Sequence, residues 1–251
     1  MTALIVRSLS WRYSNRTVLH DVSFEIPHGA FAAILGRNGS GKSTLLRCIA
    51  GMVSIPHGTV FVDGQDIART SPARRAGLVG YLPQFHEPVF PFSVEEVVLT
   101  GRAAQVLFTP SESDRAHARH AIEVVGIEHL RPRAYTELSG GERQLVMIAR
   151  VLAQAPGTIL LDEPLSHLDL CNQMHLLKLL RKLSEEGTTI VAVLHDPTLA
   201  LTYCNRHIYL HEGSLRCAPD GAEADATFLS DIYNTRLRVI RSEGMPVVIA
   251  E

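Results

Sequence analysis

Between an apolar run, Phe31 to Leu35, and a helix-like segment, Ser43 to Ala50, the chain reads Gly36-Arg37-Asn38-Gly39-Ser40-Gly41-Lys42-Ser43-Thr44. Few stretches of this length restrict a fold so strongly. The form Gly-x-x-x-x-Gly-Lys-Ser cradles phosphate, and it does so where a strand delivers the loop and a helix leaves it. Gly39 and Gly41 let backbone amides approach a phosphate closely, and the helix beginning near Lys42 adds its positive dipole end. Lys42 is placed to reach β- and γ-phosphates, and the Ser43 hydroxyl to ligate Mg²⁺. An ordinary glycine turn before a helix has no need of the Lys-Ser pair.

The 251 residues suffice for one α/β domain carrying a subdomain, and a hydrophobic fraction of 46 % supports a packed core. A net charge of −2 argues against a nucleic-acid backbone as partner. Met1 to Leu9 alternates like a strand and lacks the basic-then-apolar order of a secretory leader. No apolar run approaches the roughly 20 residues that cross a bilayer. The scattered Cys48, Cys171, Cys204 and Cys217 read as reduced, partly buried thiols. His117 with His120, and His207 with His211, share faces but show no third ligand, so they read as surface or core histidines.

Residues 1–30 read as short strands separated by Ser14-Asn15 and Pro27-His28-Gly29. Gly58 to Val62 and Val79 to Leu82 are further strand candidates, with a turn at Asp63-Gly64. From about 93 to 152 the spacing turns helical, through Val94, Val97, Val98, then Ala118, Ala121, Ile122, Val125, then Leu145, Ile148, Ala149, Leu152. After Thr158 strands return at Ile159–Leu161 and Ile190–Leu194, apolar enough for buried parallel pairing. The tail from about Pro219 offers a short helix near Phe228–Tyr233 and two strand-like pieces, too little for a regulatory domain.

Thr158-Ile159-Leu160-Leu161-Asp162-Glu163 is an apolar strand ending in two acids, which places them at a sheet's carboxyl edge, where open α/β sheets bind ligands. Asp162 is the natural Mg²⁺ partner, through water. A second glycine signal, Leu138-Ser139-Gly140-Gly141-Glu142-Arg143-Gln144, precedes the helix Glu142–Leu152. Its free N-terminus suits an anion, although Ser139 with Glu142 equally fits a capping box.

With both glycine signals in place, the chain resembles the ABC (ATP-binding cassette) ATPases over nearly its whole length. The resemblance implies an α/β fold: a P-loop NTPase core, RecA-like with a mostly parallel sheet, an N-terminal antiparallel β subdomain and an inserted α-helical subdomain. It divides the chain into a core of 1–84 and 153–251 and a helical signature subdomain of 85–152. It implies ATP and Mg²⁺ as cofactors, bound through Gly36, Asn38, Gly39, Ser40, Gly41, Lys42, Ser43 and Thr44, with Glu163 resembling the catalytic base. His195, in His195-Asp196 after Ile190–Leu194, resembles the switch histidine that contacts the γ-phosphate. Gln84, in Tyr81-Leu82-Pro83-Gln84, looks like the glutamine that reaches metal or water. Tyr13, about 23 residues before the loop, resembles the aromatic that stacks on adenine, a contact worth on the order of 1–3 kcal/mol. Trp11 shares its strand parity, so one ring stacks and the other packs; Tyr13 is favoured for stacking.

The same resemblance assigns Ser139, Gly140 and Gly141 to ATP bound by a second copy in a head-to-tail dimer, and makes Ser166-His167-Leu168-Asp169 the loop crossing that interface. It implies hydrolysis driving transport from the cytoplasmic face of the membrane, with a separate transmembrane permease and, indirectly, a substrate-binding protein. Pro91 to Arg102 and Ser166 to Leu170 look like the importer ATPases for iron–siderophore, haem, cobalamin and related chelates. A soluble assembly ATPase and an exporter ATPase are the alternatives. Leu165 and Pro197-Thr198 depart from the family's usual residues at those places. Phe85 to Arg102, with Phe85, Val89, Phe90 and Phe92, reads as the permease-docking surface.

Overall fold

The protein is described by a computed structural model covering residues 1–84, 91–106, 108–218 and 225–251. Its first thirty residues turn where expected, at Ser14-Asn15 and His28-Gly29, but the strands are longer than expected. They form two twelve-residue strands, β1 (Thr2–Tyr13) and β2 (Arg16–Pro27), paired antiparallel up to Tyr13↔Arg16. Apparent breaks in the pattern are irregularities within one ladder: register shifts flank Leu9 and Trp11, and Ser8 and Asp21 take positive φ. Hydroxyls satisfy amides freed there, Ser8 donating to Ser23 Oγ at 2.7 Å and Asp21 to Ser10 Oγ at 3.0 Å. The chain then enters β3 (Phe31–Leu35), the glycine loop and α1 (Lys42–Ile49). It returns to the first sheet through β4 (Val60–Val62) and β5 (Gln65–Asp66), joined by the expected turn at Asp63-Gly64, both at positive φ.

After α2 (Pro72–Leu78) comes β6 (Val79–Leu82), then α3 (Val94–Leu99), α4 (Glu112–Val125) and α5 (Gly140–Ala153). The α/β alternation resumes with β7 (Thr158–Asp162), α6 (Leu170–Glu185), β8 (Thr189–Val193) and α7 (Pro197–Tyr203). β9 (Arg206–His211), β10 (Ser214–Arg216), α8 (Ala226–Tyr233) and a hairpin of β11 (Leu237–Ser242) with β12 (Met245–Ala250) complete it. The central sheet runs β10-β9-β3-β8-β7-β6, parallel throughout except for the edge strand β10.

Strand parity divides the core. On one face Phe31, Ala33, Ile159, Leu161, Ile190 and Ala192 pack with Val94, Ala118, Ile122 and Leu145 of the helical stretch. On the other, Ala32, Ile34, Leu160, Val191 and Val193 pack with Leu45 and Ile49 of α1 and Leu4, Val6 and Leu19 of the first sheet. The helices and the sheet therefore share one core. Each of α3, α4 and α5 opens on a capping box, through Ser93/Glu96, Ser111/Asp114 and Ser139/Glu142.

α5 comes so close to the turn after α3 that a Cβ at Gly101 would lie 2.1 Å from the Arg150 carbonyl oxygen. Gly101→Ala is expected to cost about 1–3 kcal/mol, as overpacking does. Urea unfolding measures it, and a wild-type midpoint would contradict the close approach.

Candidate functional site

The glycine loop owes its shape to what lies behind it. Gly36 has φ 142°, and a Cβ there would lie 2.1 Å from the Leu210 carbonyl oxygen on β9. At Gly41, φ 105°, a Cβ would lie 3.0 Å from the Leu19 side chain and 3.1 Å from the Val18 carbonyl oxygen. Ser40 is held by Gly213, whose amide donates to its carbonyl at 3.0 Å. The Lys42 ammonium turns back on the loop and donates to the Gly36 and Arg37 carbonyls at 2.8 and 2.9 Å. Burial lowers its pKa, against the raising influence of the Glu163 and Asp162 charges.

β7 carries Asp162 into full burial, where Ser43 Oγ donates to its Oδ1 at 2.9 Å. Oδ2 is buried with no hydrogen-bond partner. Burial pushes this carboxyl up, opposed by the Ser43 hydrogen bond. A hydroxyl beside a carboxylate with an unpaired buried oxygen is a hard-oxygen donor set, and it fits Mg²⁺.

Glu163, next along, sits in the left-handed region at φ 54°, a conformation costing on the order of 1–3 kcal/mol and concentrated at functional sites. Its Oε1 lies 2.8 Å from His195 Nε2, and Ser166 Oγ donates to its Oε2 at 3.4 Å. β8 ends at Val193 rather than at Leu194, so His195 lies two residues beyond the strand, in a bend, with a half-exposed ring.

A cleft of about 620 Å³ gathers Tyr13, Asn38, Gly39, Gly41, Lys42, Ser43 and Thr44 with Gln84, Glu163 and His195. That volume is in the range of small-molecule sites. Gly36 and Ser40 do not line it; they hold the back of the loop. Of the two rings on β1, Trp11 donates to the Ser54 carbonyl at 3.1 Å and packs against the core, while Tyr13 is 43 % exposed and faces the cleft. The rings meet edge to face at 4.0 Å.

Arg16 and Val18 also line the cleft and went unnoticed in the sequence. The Arg16 side chain makes no hydrogen bond or ion pair among the described residues, and with Lys42 it gives the cleft two basic side chains. The available signal was its place across the hairpin from Tyr13. The structure does not bring Ser139, Gly140, Gly141 or Asp169 into this cleft. Ser139 caps its own helix, and Asp169 accepts from Asn172 N at 2.8 Å to cap α6. The helix opened by Ser139 is nonetheless tied to the acids, because buried Gln144 donates to the Pro164 carbonyl at 3.1 Å.

The cysteines and paired histidines have local explanations. Cys48 and Cys204 are buried, which pushes both thiols up to about 12, while Cys171 and Cys217 are exposed. His117 Nδ1 meets the Ser113 carbonyl at 2.8 Å and His207 Nε2 the Ala200 carbonyl at 3.2 Å. His120 approaches Glu123 at 4.0 Å, and His211 Nδ1 the Ile232 carbonyl at 3.4 Å.

Residues 19–166 match the family model described as ABC transporter. The hemin import ATP-binding protein HmuV of Rhizobium etli is 36 % identical, over 98 % of this chain and 96 % of that protein. The ferric enterobactin transport ATP-binding protein FepC of Escherichia coli is 38 % identical, over 96 % and 91 %. A solved structure described as a metal-chelate type ABC transporter in an inward-facing conformation superposes with a TM-score of 0.86 at 28 % identity, covering 100 % of this chain and 98 % of that one. A dimeric, post-hydrolysis ATP-binding cassette bound to ADP and Pi superposes at 0.76 and 28 % identity, covering 85 % and 97 %.

Asp162 carries a buried charge that the nucleotide-free protein leaves half paired. Asp162→Asn removes the charge and keeps the shape and the acceptor for Ser43. It is expected to raise the thermal midpoint without nucleotide or Mg²⁺ by about 2–4 °C, corresponding to ~1 kcal/mol. A lower midpoint in a melting experiment would show that the carboxylate is well compensated.

Proposed function

Because the chain belongs to the ABC transporter family, we propose that it is the ATP-hydrolysing subunit of an importer for a metal chelate of the iron–siderophore, haem or cobalamin type. The observation that carries this reading is the convergence of the phosphate loop, Glu163, Gln84 and His195 on one cleft with Tyr13 at its rim, and the hydrogen bond from Ser43 in that cleft to buried Asp162 behind it. Import rather than export is supported by relatives named for import of hemin and transport of ferric enterobactin.

Tyr13 stacks on adenine, and the amides of Asn38 to Thr44 surround the phosphates. Lys42 exchanges the Gly36 and Arg37 carbonyls for phosphate oxygens, and Arg16 covers the outer side of the polyphosphate. Ser43, Asp162 and Gln84 hold Mg²⁺, which when bound draws charge from the phosphate oxygens. Glu163 orients a water and takes its proton as the water oxygen bonds to the γ-phosphorus and the bond to the bridging oxygen breaks. In the conformation described here His195 holds that carboxylate. That contact keeps the carboxylate placed for the water, and His195 reaches the γ-phosphate from the same position.

The working unit is a head-to-tail dimer in which Ser139, Gly140 and Gly141 of one copy complete the phosphate site of the other, with Asp169 near the crossing. Two observations support it: these residues lie outside their own chain's cleft, and a cassette of this fold is dimeric with ADP and Pi. No helix among the described residues is long and apolar enough to cross a membrane. The pore therefore belongs to a separate permease, fed by a binding protein, with this subunit on its cytoplasmic face. Of the expected docking segment, Phe85, Val89 and Phe90 lie outside the described residues. Phe92, 50 % exposed just before α3, remains the anchor to which the docking role attaches.

Glu163→Gln is expected to bind ATP, lower kcat by at least about a hundredfold and accumulate as a dimer on size exclusion. Near-normal phosphate release would remove Glu163 from the base role. Ser139→Arg and Lys42→Ala should each be inactive alone, while an equal mixture regains activity, since a heterodimer keeps one site with both halves intact. A mixture as inactive as its components would rule out the shared site.

A further inference from the structure

The C-terminal segment was too short to read as a domain, and Thr198 stood out only as a departure from the family's usual residue. The structure joins the two. The backbone amide of Val248, on β12, donates to Thr198 Oγ1 at 3.0 Å. Thr198 lies three residues after His195, in the first turn of α7, where Asp196 Oδ1 accepts from the amides of Thr198 at 2.7 Å and Leu199 at 3.4 Å. The hairpin is thus bonded to the turn of helix that carries the histidine. Its inner side chains, Leu237, Val239 and Val248, pack on the same core as Leu199.

The other end of the segment is fastened to the strand beside the phosphate loop. Phe228 of α8 meets Tyr209 edge to face at 4.8 Å, and His211 Nδ1 approaches the Ile232 carbonyl at 3.4 Å. Both partners lie on β9, which pairs with β3 as Leu35↔Tyr209, one residue before Gly36. The segment therefore spans the gap between the strand leading into the loop and the helix following the histidine. Burial, then the nearby charge of Asp196, hold the Tyr233 phenol above its ordinary value.

We propose that residues 226–251 are a brace that sets His195 against Glu163, with Thr198 as the positioning residue through which it acts. This rests on the ATPase reading above. Thr198 does not line the cleft. Asp196 caps α7, and the Thr198 hydroxyl ties that helix's first turn to the hairpin, which fixes where the histidine stands relative to the carboxylate 2.8 Å away. A brace of this kind affects the hydrolytic step and leaves ground-state binding through Tyr13 and the glycine loop untouched.

The test is steady-state ATP hydrolysis by the full chain with Thr198→Val, Thr198→Ser and Val248→Pro. Val248 sends its amide outward to Thr198 while pairing with Val239. Proline at 248 therefore removes the donor without removing a hydrogen bond of the hairpin. Thr198→Val is expected to lower kcat about tenfold with KM for ATP within twofold of wild type, and Thr198→Ser to restore it. Val248→Pro should match Thr198→Val, and the double variant should be no worse than either. An unchanged kcat in Thr198→Val overturns the proposal. So does a loss that serine fails to restore, or one matched by a rise in KM. If wild type itself hydrolyses no ATP, the ATPase reading fails instead, and the brace falls with it.

Discussion

The hydrogen bond between Ser43 and Asp162 closes the site, and sheet register puts it within reach. Ile34 pairs with Val193, and Val193 with Asp162, so these three residues form one row across β3, β8 and β7. From that row the chain continues two residues to Gly36, two to His195 and one to Glu163. The start of the glycine loop, His195 and Glu163 thus each stand a fixed, short distance past a single line of backbone hydrogen bonds. A slip of one residue in either pairing would turn Asp162 to the other face and separate it from Ser43. The sheet's buried apolar faces make such a slip expensive, which is how a core of Ile, Leu and Val comes to govern a polar site.

The site is held away from its lowest-energy geometry. Asp162 keeps a carboxylate oxygen unpaired in the interior, Glu163 occupies a left-handed conformation, and Lys42 is buried against carbonyls. Each of these costs stability in the nucleotide-free protein. On the proposed function, a divalent cation would give the unpaired Asp162 oxygen a partner and phosphate would replace the carbonyls around Lys42, while the Glu163 conformation is held by the fold itself.

The helical stretch is attached to the acids through its own core and through Gln144, which holds the Pro164 carbonyl. His167 runs so close to Gly141 that a Cβ there would sit 2.9 Å from the His167 carbonyl oxygen. The helix start at Ser139 and the residues after Glu163 consequently form one surface, apart from the cleft. The two glycine signals stand on separate surfaces of one chain, and the proposed head-to-tail dimer is the arrangement that would bring them together.

From local pattern alone the sequence determined the parallel strands, the glycine loop with its helix, the helical insert and the acids that end β7. Those features depend on neighbours in the chain: apolar runs, glycines where φ must be positive, and a Lys-Ser pair at fixed spacing. Tyr13 was separable from Trp11 only with the structure, because strand parity is the same for both and the choice turns on whether a ring meets Ser54 or the cleft. Arg16 entered the cleft by lying across a hairpin from Tyr13. The turns at Ser14-Asn15 and His28-Gly29 were legible in the first thirty residues, but the full twelve-residue length of β1 and β2 was not, because ladder irregularities near Leu9 and Trp11 break the local alternation. Thr198 gained a role when residue 248 folded back onto it, fifty positions away. Where a contact joins residues distant in sequence, no local period records it, and the packing of the whole chain decides the geometry.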